Sequence, residues 1–493
     1  MDFCRFFALF AVLLIFCSCS QQDISQDFSQ DFFAPTTQTQ QVLNQDFSQN
    51  QDLILPCDKN LLKTHPADFK KLSSHLIPLL FQSLVSVNDD YSCSYDLAED
   101  IQSDGLVYTI TIKDALFSDG SEVLAYDVVD SFYKAIQVSS NWAFKFSGVS
   151  EFSAVSKKVI RISLENPHRD FINLLTFPIA KQDANGNFCG SGRYILVSQN
   201  SVKKLVPNTV SSQQNNSLDE ILLQELPNDD TLIDSLKIGK ITCLFDDLSD
   251  GEAMNLSDKV KTVEIGHLVF LGCNSQSILL QNQQLRSALS LSLNREMIAD
   301  RVYSSKALPV DIPFHPNYYR LSDYKLSQFS LSKANSAVAA VGLEKNSQGF
   351  YFSDTQDSLT LVYNDDNPYR SQMASLIKQQ FEMVGIKVIT KGYSYQEYLN
   401  ILSEGGYDLY IGELAIDDSM DIMRLLVQGE NYGFGTQEES SVLLDYYALQ
   451  QGSVSIDDFL KSYNQFMPAI PLLYRQGVIV VAPNCQNLPE WLW

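Results

Sequence analysis

Histidine is scarce in this chain: His65, His75, His168, His267 and His315 are the only five in 493 residues. No two of them stand at the i, i+4 spacing of helical metal ligands, and HExxH is absent. There is no GxSxG elbow and no GxxxxGK[ST] loop, so neither a serine-hydrolase turn nor a P-loop is marked. None of the cysteines form CxxC, and none pair with histidine at zinc-finger spacing. Basic residues are few: 35 Lys and Arg stand against 59 Asp and Glu, giving a formal net charge of −24. Phosphate backbones are gripped by Lys/Arg clusters, so nucleic acid is excluded as an expected partner. Beyond Phe16 no apolar run is long enough to span a membrane. Carboxylates are abundant but none is marked as an acid/base pair. The chain is therefore not expected to be an enzyme, and no cofactor or metal is expected.

What is present is alternation. Leu359 to Asp421 reads strand, helix, strand, helix, strand. Leu359–Tyr363 is β-rich, and the polar break Asn364–Pro368 opens a helix. Met373, Leu376, Ile377, Phe381 and Val384 share one face of it. Gly385 ends that helix, Ile386–Ile389 is a strand, and Tyr395–Leu402 is a second helix closed by Gly405 and Gly406. Tyr407–Ile411 is the third strand. This pattern predicts a βαβ unit and a mainly parallel sheet, an α/β fold class. Ligands of such sheets sit beyond the strands' carboxyl ends, here Gly412 to Asp418.

The stretch resembles the large extracytoplasmic solute-binding proteins of peptide ABC transporters. The resemblance rests on Val384-Gly385-Ile386-Lys387-Val388, Glu397-Tyr398, Tyr407-Asp408-Leu409 and Gly412. Glu413 stands where the family has Trp. Phe117-Ser118-Asp119-Gly120, continuing through Ala125-Tyr126-Asp127-Val128, resembles another family segment, a tight turn and the start of a helix. Leu124 replaces its usual Thr cap, a loss of ~1 kcal/mol. Leu164 to Leu175, Cys189 to Tyr194, Phe270 to Asn274, Leu285 to Ile298 and Pro468 to Tyr474 follow in family order. Half-buried strands are predicted at Leu106–Ile112 and Lys158–Leu164. His168 is expected at the surface.

The resemblance implies a two-lobed, periplasmic-binding-protein fold with an added subdomain in lobe one. Lobe one takes 51–86, 188–268 and 466–493, the subdomain 87–187, and lobe two 269–465. It implies capture of a short peptide in the cleft and delivery to the permease subunits of an ABC importer, by a monomer. Two alternatives stay open. One is the same fold holding a nickel complex, haem, glutathione or murein peptide, and the other is an adhesin or structural lipoprotein without ligand. The residues placed at the ligand are Trp142, in an aromatic loop Asn141–Phe144, with Phe270, Asn274 and Tyr474. Peptide-binding relatives hold the ligand's amino group with an Asp three residues after the Trp. Here that position is Ile416. The anchor is therefore shifted to Asp417, replaced by Glu413, or lost.

The first residues read as export and tether. Arg5 precedes the apolar run Phe6–Phe16, a signal pattern over 1–19. Phe16-Cys17-Ser18-Cys19 resembles a bacterial lipobox with Cys19 as the lipidated residue, which implies a lipid anchor outside the cytoplasm. Residues 20–50 repeat a Gln-Asp-Phe-Ser-Gln unit too polar to build a core, so a disordered tether of roughly 30 Å reach is expected. Of the nine cysteines, Cys57, Cys93, Cys189, Cys243, Cys273 and Cys485 lie beyond it. Export permits disulfides, and buried thiols are the other reading.

Overall fold

The computed structural model describes residues 52–199, 202–213, 218–249, 260–429, 432–436, 440–483 and 485. Cys19 and the 20–50 repeat lie outside the described residues. Among those described, no helix is long and apolar enough to cross a membrane.

Three hydrophobic cores organise the chain. The first gathers Leu55, Leu76, Leu80, Leu205, Ile221, Leu244 and Val480, from the two ends and the middle of the sequence. It covers a four-stranded sheet in the order Ile54–Cys57, Ile221–Glu225, Val202–Pro207, Tyr194–Gln199. The second core runs from Leu84 to Ile179. Its sheet is antiparallel, ordered Ala98–Ser103, Val107–Ile112, Val159–Leu164, Val149–Ala154. Tyr108, Ile110 and Ile112 alternate inward, as a half-buried strand requires, while Leu106 stays outside. The helix Ala125–Val138 buries Val128, Phe132 and Ala135 on the same core. Leu124 has no acceptor to cap this helix. The Asp127 carboxylate supplies the reciprocal half of a capping box by accepting the Leu124 amide at 2.8 Å.

The third core contains most of what lies between Leu268 and Tyr474. The strand and helix alternation expected there is present: Leu359–Asn364, Pro368–Met383, Val388–Tyr393, Tyr395–Glu404, Leu409–Ala415. Leu359–Asn364 pairs in parallel with both other strands. The last strand continues four residues past Ile411. Gly412 to Ala415 therefore belong to the strand and do not form a turn beyond it, because they pair with His267–Phe270.

Two long strands join the first and third cores. Val260–Cys273 pairs antiparallel with Ala469–Val481 along nearly its whole length. Val260 meets Val480 at one end and Gly272 meets Ala469 at the other. Between them the register shifts between Val269 and Phe270 and, more widely, at a bulge from Glu264 to His267. Gly266 sits there at φ +66, and a Cβ on it would lie 2.6 Å from the Ile416 carbonyl oxygen. The Ile416 amide donates to the Gly266 oxygen at 2.8 Å. The chain thus passes from the first core to the third within the strand Val260–Cys273.

The Cys189–Tyr194 run is a packing device. A Cβ on Gly192 would lie 2.5 Å from the Leu79 carbonyl oxygen. Cys57, Cys93, Cys189, Cys243 and Cys273 are free thiols. Burial pushes the thiols of Cys57, Cys243 and Cys273 up to about 12.

Gly266→Ala should destabilise the fold by more than ~1 kcal/mol, since the new residue must hold positive φ against a backbone oxygen. Urea denaturation reads this; wild-type stability in the variant would show that the bulge relaxes freely. A second outcome concerns pH. His65 is buried, and its Nδ1 accepts the Ala67 amide at 3.2 Å, so that nitrogen carries no proton. Burial, aided by Lys134, lowers its pKa from 6.5 to about 4. The unfolded chain takes up the proton first, so stability falls as pH drops from about 6.5 towards about 4, by at most ~1.4 kcal/mol per pH unit. His65→Asn keeps an acceptor without that titration and should flatten the slope; the same slope in both proteins would assign it elsewhere.

Candidate functional site

The site grows from the strand Leu409–Ala415. This strand lies between a crossing strand and the parallel strand Leu359–Asn364. From Leu409 to Leu414 every residue is buried except Glu413, whose side chain is one-fifth exposed. The neighbours surround that carboxylate with cations. His267 and Arg475 stand opposite each other on the two crossing strands. The His267 Nδ1–H donates to Glu413 Oε1 at 2.7 Å. Arg475 donates to the same oxygen through Nε at 2.9 Å and Nη2 at 2.8 Å. Arg370, in the first turn of the helix Pro368–Met383, donates through Nη2 to Oε2. Asn367 caps that helix by accepting the Tyr369 amide at 3.0 Å, which fixes where Arg370 emerges. Burial pushes the Glu413 carboxyl up, but Arg370, the His267 bond and Arg475 together hold it well below the usual carboxylate range. A buried carboxylate matched in this way has no call for an external ammonium. Glu413 is thus paired within the chain to Arg370, Arg475 and His267.

One cavity borders this cluster, and a second lies beyond it. One, about 340 Å³, is lined by His267, Phe270, Arg370, Glu413 and Arg424, with Tyr395 and Tyr398 on the helix opposite. The other, about 520 Å³, opens between the second core and the third. Phe144, Lys145 and His168 line one wall, and Asp417, Asp421 and Tyr446 the other. A stack separates the two. The Arg424 guanidinium lies 4.6 Å from the Phe144 ring and 4.9 Å from the Tyr432 ring.

A second charge cluster holds the same two walls together. Asp170, buried in the second core's segment, accepts from Arg320 Nη2 at 2.6 Å and Nε at 2.9 Å. Tyr319 Oη donates to it at 2.9 Å, and Tyr318 Oη donates as well. Burial raises the Asp170 carboxyl, and the bonds from Arg320 and Tyr318 outweigh that and bring it below its ordinary value. Nearby, Asn173 Nδ2 donates to the Asp418 carbonyl at 3.0 Å, and the Arg169 amide donates to Gln450 Oε1 at 2.9 Å.

The expected site residues separate into two groups. Phe270 is buried at the wall of the smaller cavity, edge-on to Tyr410 at 5.8 Å. Asp417 lines the larger one; its Oδ1 accepts from the Ser419 amide at 3.0 Å and hydroxyl at 2.5 Å. Trp142, Asn274 and Tyr474 line neither cavity. Asn141–Phe144 is helical rather than a loop, part of Ser140–Lys145. That helix turns Trp142 onto Phe146 at 5.8 Å and Phe177 at 6.3 Å, and leaves Phe144 to face Arg424. Asn274 ties off a loop by donating to the Tyr407 carbonyl at 2.8 Å. Tyr474 is fully buried and donates to the Pro313 carbonyl at 2.8 Å. His168 is not a plain surface residue, since it lines the larger cavity. Sequence reasoning missed Arg370, Arg424, Arg475, His267 and Asp170. Only strand register or chain crossing brings them together, and neither leaves a local pattern.

The geometry agrees with what the chain is similar to. The oligopeptide-binding protein AppA of Bacillus subtilis (strain 168) is 24% identical over 369 residues, covering 68% of each chain. Among solved structures, the unliganded open form of the periplasmic murein tripeptide binding protein MppA matches with a TM-score of 0.72 at 18% identity, covering 88% of this chain and 93% of that one. A nickel ABC transporter protein from Bacillus halodurans matches at 0.71 and 15%, covering 88% and 96%. These structures share the two-lobed α/β fold. Residues 92–434, well over half the chain, match the family described as bacterial extracellular solute-binding proteins, family 5 (middle region). The chain belongs to that family, the extracytoplasmic solute-binding components of ABC importers.

Proposed function

We propose that this protein captures short peptides in the cleft between its lobes and hands them to an importer's permease subunits, working as a monomer held to a membrane by lipid on Cys19. The observation that carries the reading is the placement of Asp417 on the wall of the cavity of about 520 Å³ between the two halves. Asp421 lies on the same wall, and Lys145 and His168 face them. A ligand ammonium at Asp417 would be shielded from water, where a charge pair is worth most. The aromatic wall from Phe144, Phe171 and Tyr446 offers area to any side chain. Closure turns on the bulge at Gly266, where the two crossing strands lose register and can bend. The first two cores then move as one lobe and the third as the other.

A thermal-shift screen against short peptides should give hits. A ligand at 100 times its dissociation constant adds about 2.7 kcal/mol. A screen in which only a nickel complex or haem raises the melting point would move the reading to another solute. Asp417→Asn should weaken a peptide hit by about 2–5 kcal/mol, and N-acetylation of the peptide should match it. Equal affinity for free and acetylated peptide in wild type would remove the amino anchor. Small-angle scattering with the same peptide should show a smaller radius of gyration than without it.

A further inference from the structure

The smaller cavity is cationic in a strongly acidic protein. Among the described residues Glu413 is the only acid that lines it, and that acid is paired with both Arg370 and Arg475. Arg424 adds another guanidinium to the wall. Two of these groups keep buried N–H groups without a hydrogen-bond partner among the described residues: Nη1 of Arg370 and Nε of Arg424. Arg370 is itself only 5% exposed. Buried donors are normally satisfied, so two orphans on one cavity mark a place where an acceptor belongs. The aromatic rings of Phe144 and Tyr432 hold the Arg424 guanidinium by its faces. Its in-plane N–H edge is left for a ligand, since stacking and in-plane hydrogen bonding use different parts of the group. With about 340 Å³, the cavity suits one terminus or one side chain rather than a whole peptide.

We infer that this cavity is a carboxylate pocket, in which Arg424 and Arg370 receive an anionic oxygen of the captured solute while Glu413 and Arg475 hold Arg370 in place. The inference rests on the solute-capture reading and names the chemistry that the site selects. The adjoining cavity carries Asp417 and Asp421, so the two together match a ligand with separated positive and negative groups. Phe144 comes from the opposite lobe, so the Arg424 stack forms only when the lobes are together. The carboxylate is then recognised in the closed state. Its source is either the C-terminus of a peptide or an acidic side chain.

The test uses paired probes that differ only in charge, measured by titration calorimetry on the full mature chain. Ala-Ala-Ala is compared with its C-terminal amide, Ala-Glu-Ala-amide with Ala-Gln-Ala-amide, and glutarate with glutaramide. At least one acid should bind ten-fold or more tightly than its neutral partner. The first pair responding assigns the terminus, and the second assigns a side chain. Response of glutarate alone supports the pocket while overturning the peptide reading. Arg424→Gln should remove the difference within the responding pair. Arg370→Gln is unsuited, because it strips a buried carboxylate of its partner and endangers the fold. Equal affinities within all three pairs, or no binding in any of them, overturn the inference.

Discussion

The pairing of Val260–Cys273 with Ala469–Val481 is the constraint on which both lobes depend. Each strand contributes one end to the first core and the other to the third. A slip of one residue would exchange faces along the whole ladder, taking His267 and Arg475 off the carboxylate they share. The ladder shifts register at two places, Glu264/His267 and Val269/Phe270, and the two sides of the first are pinned separately. Glu264 accepts from His315 Nε2 at 3.0 Å and from Gln476 Nε2 at 2.8 Å. His267 is fixed by Glu413. Between these anchors lie Ile265 and Gly266, the latter accepting the Ile416 amide at 2.8 Å. A joint of two residues between two anchored segments is how a continuous sheet can bear a hinge without losing its hydrogen bonds elsewhere.

Charge is used differently at the two clusters. Asp170 meets Arg320 and two tyrosine hydroxyls across the boundary between the subdomain and lobe two, so its pairing exists only while those surfaces touch. Glu413 and its partners lie within the frame of lobe two and its crossing strands and persist whatever the subdomain does. The first joins two separate cores, and the second lies within one. The chain's net charge of −24 does not cancel the field of the second cluster, because exposed charges are screened beyond about 10 Å at 0.1 M salt and the cluster's charges are buried.

The fold was legible where the local pattern was complete. The helix at Pro368–Met383 starts at the Asn-Pro break and is followed by Gly385 at φ +86, and the helix at Tyr395–Glu404 ends on Gly405 at φ +77. The last strand read short because Gly412 and Glu413 interrupt its apolar run, and only pairing with the crossing strand shows that they belong. The Asn141–Phe144 segment read as a loop because a six-residue helix carries too few apolar positions to show a period. The site was legible only in part. Glu413 and Asp417 stood at positions that the family resemblance singles out. The groups that decide what Glu413 does come from 43, 62 and 146 residues away.

The exchange of Trp for Glu at position 413 can be understood from those partners. The indole of the resembled family needs only apolar neighbours and one acceptor. A carboxylate in the same half-buried place needs counter-charges, since desolvation of an unpaired anion costs several kcal/mol. Arg475, next to the fully buried Tyr474, and Arg370, beneath the Asn367 cap, supply them from rigid elements, so their side chains lose little freedom on pairing. Removing Glu413 would leave the two guanidiniums facing each other, and removing either arginine would leave the anion under-compensated. The three positions are thus one unit, and the excess positive charge left after they pair is a fixed property of the cavity beside them.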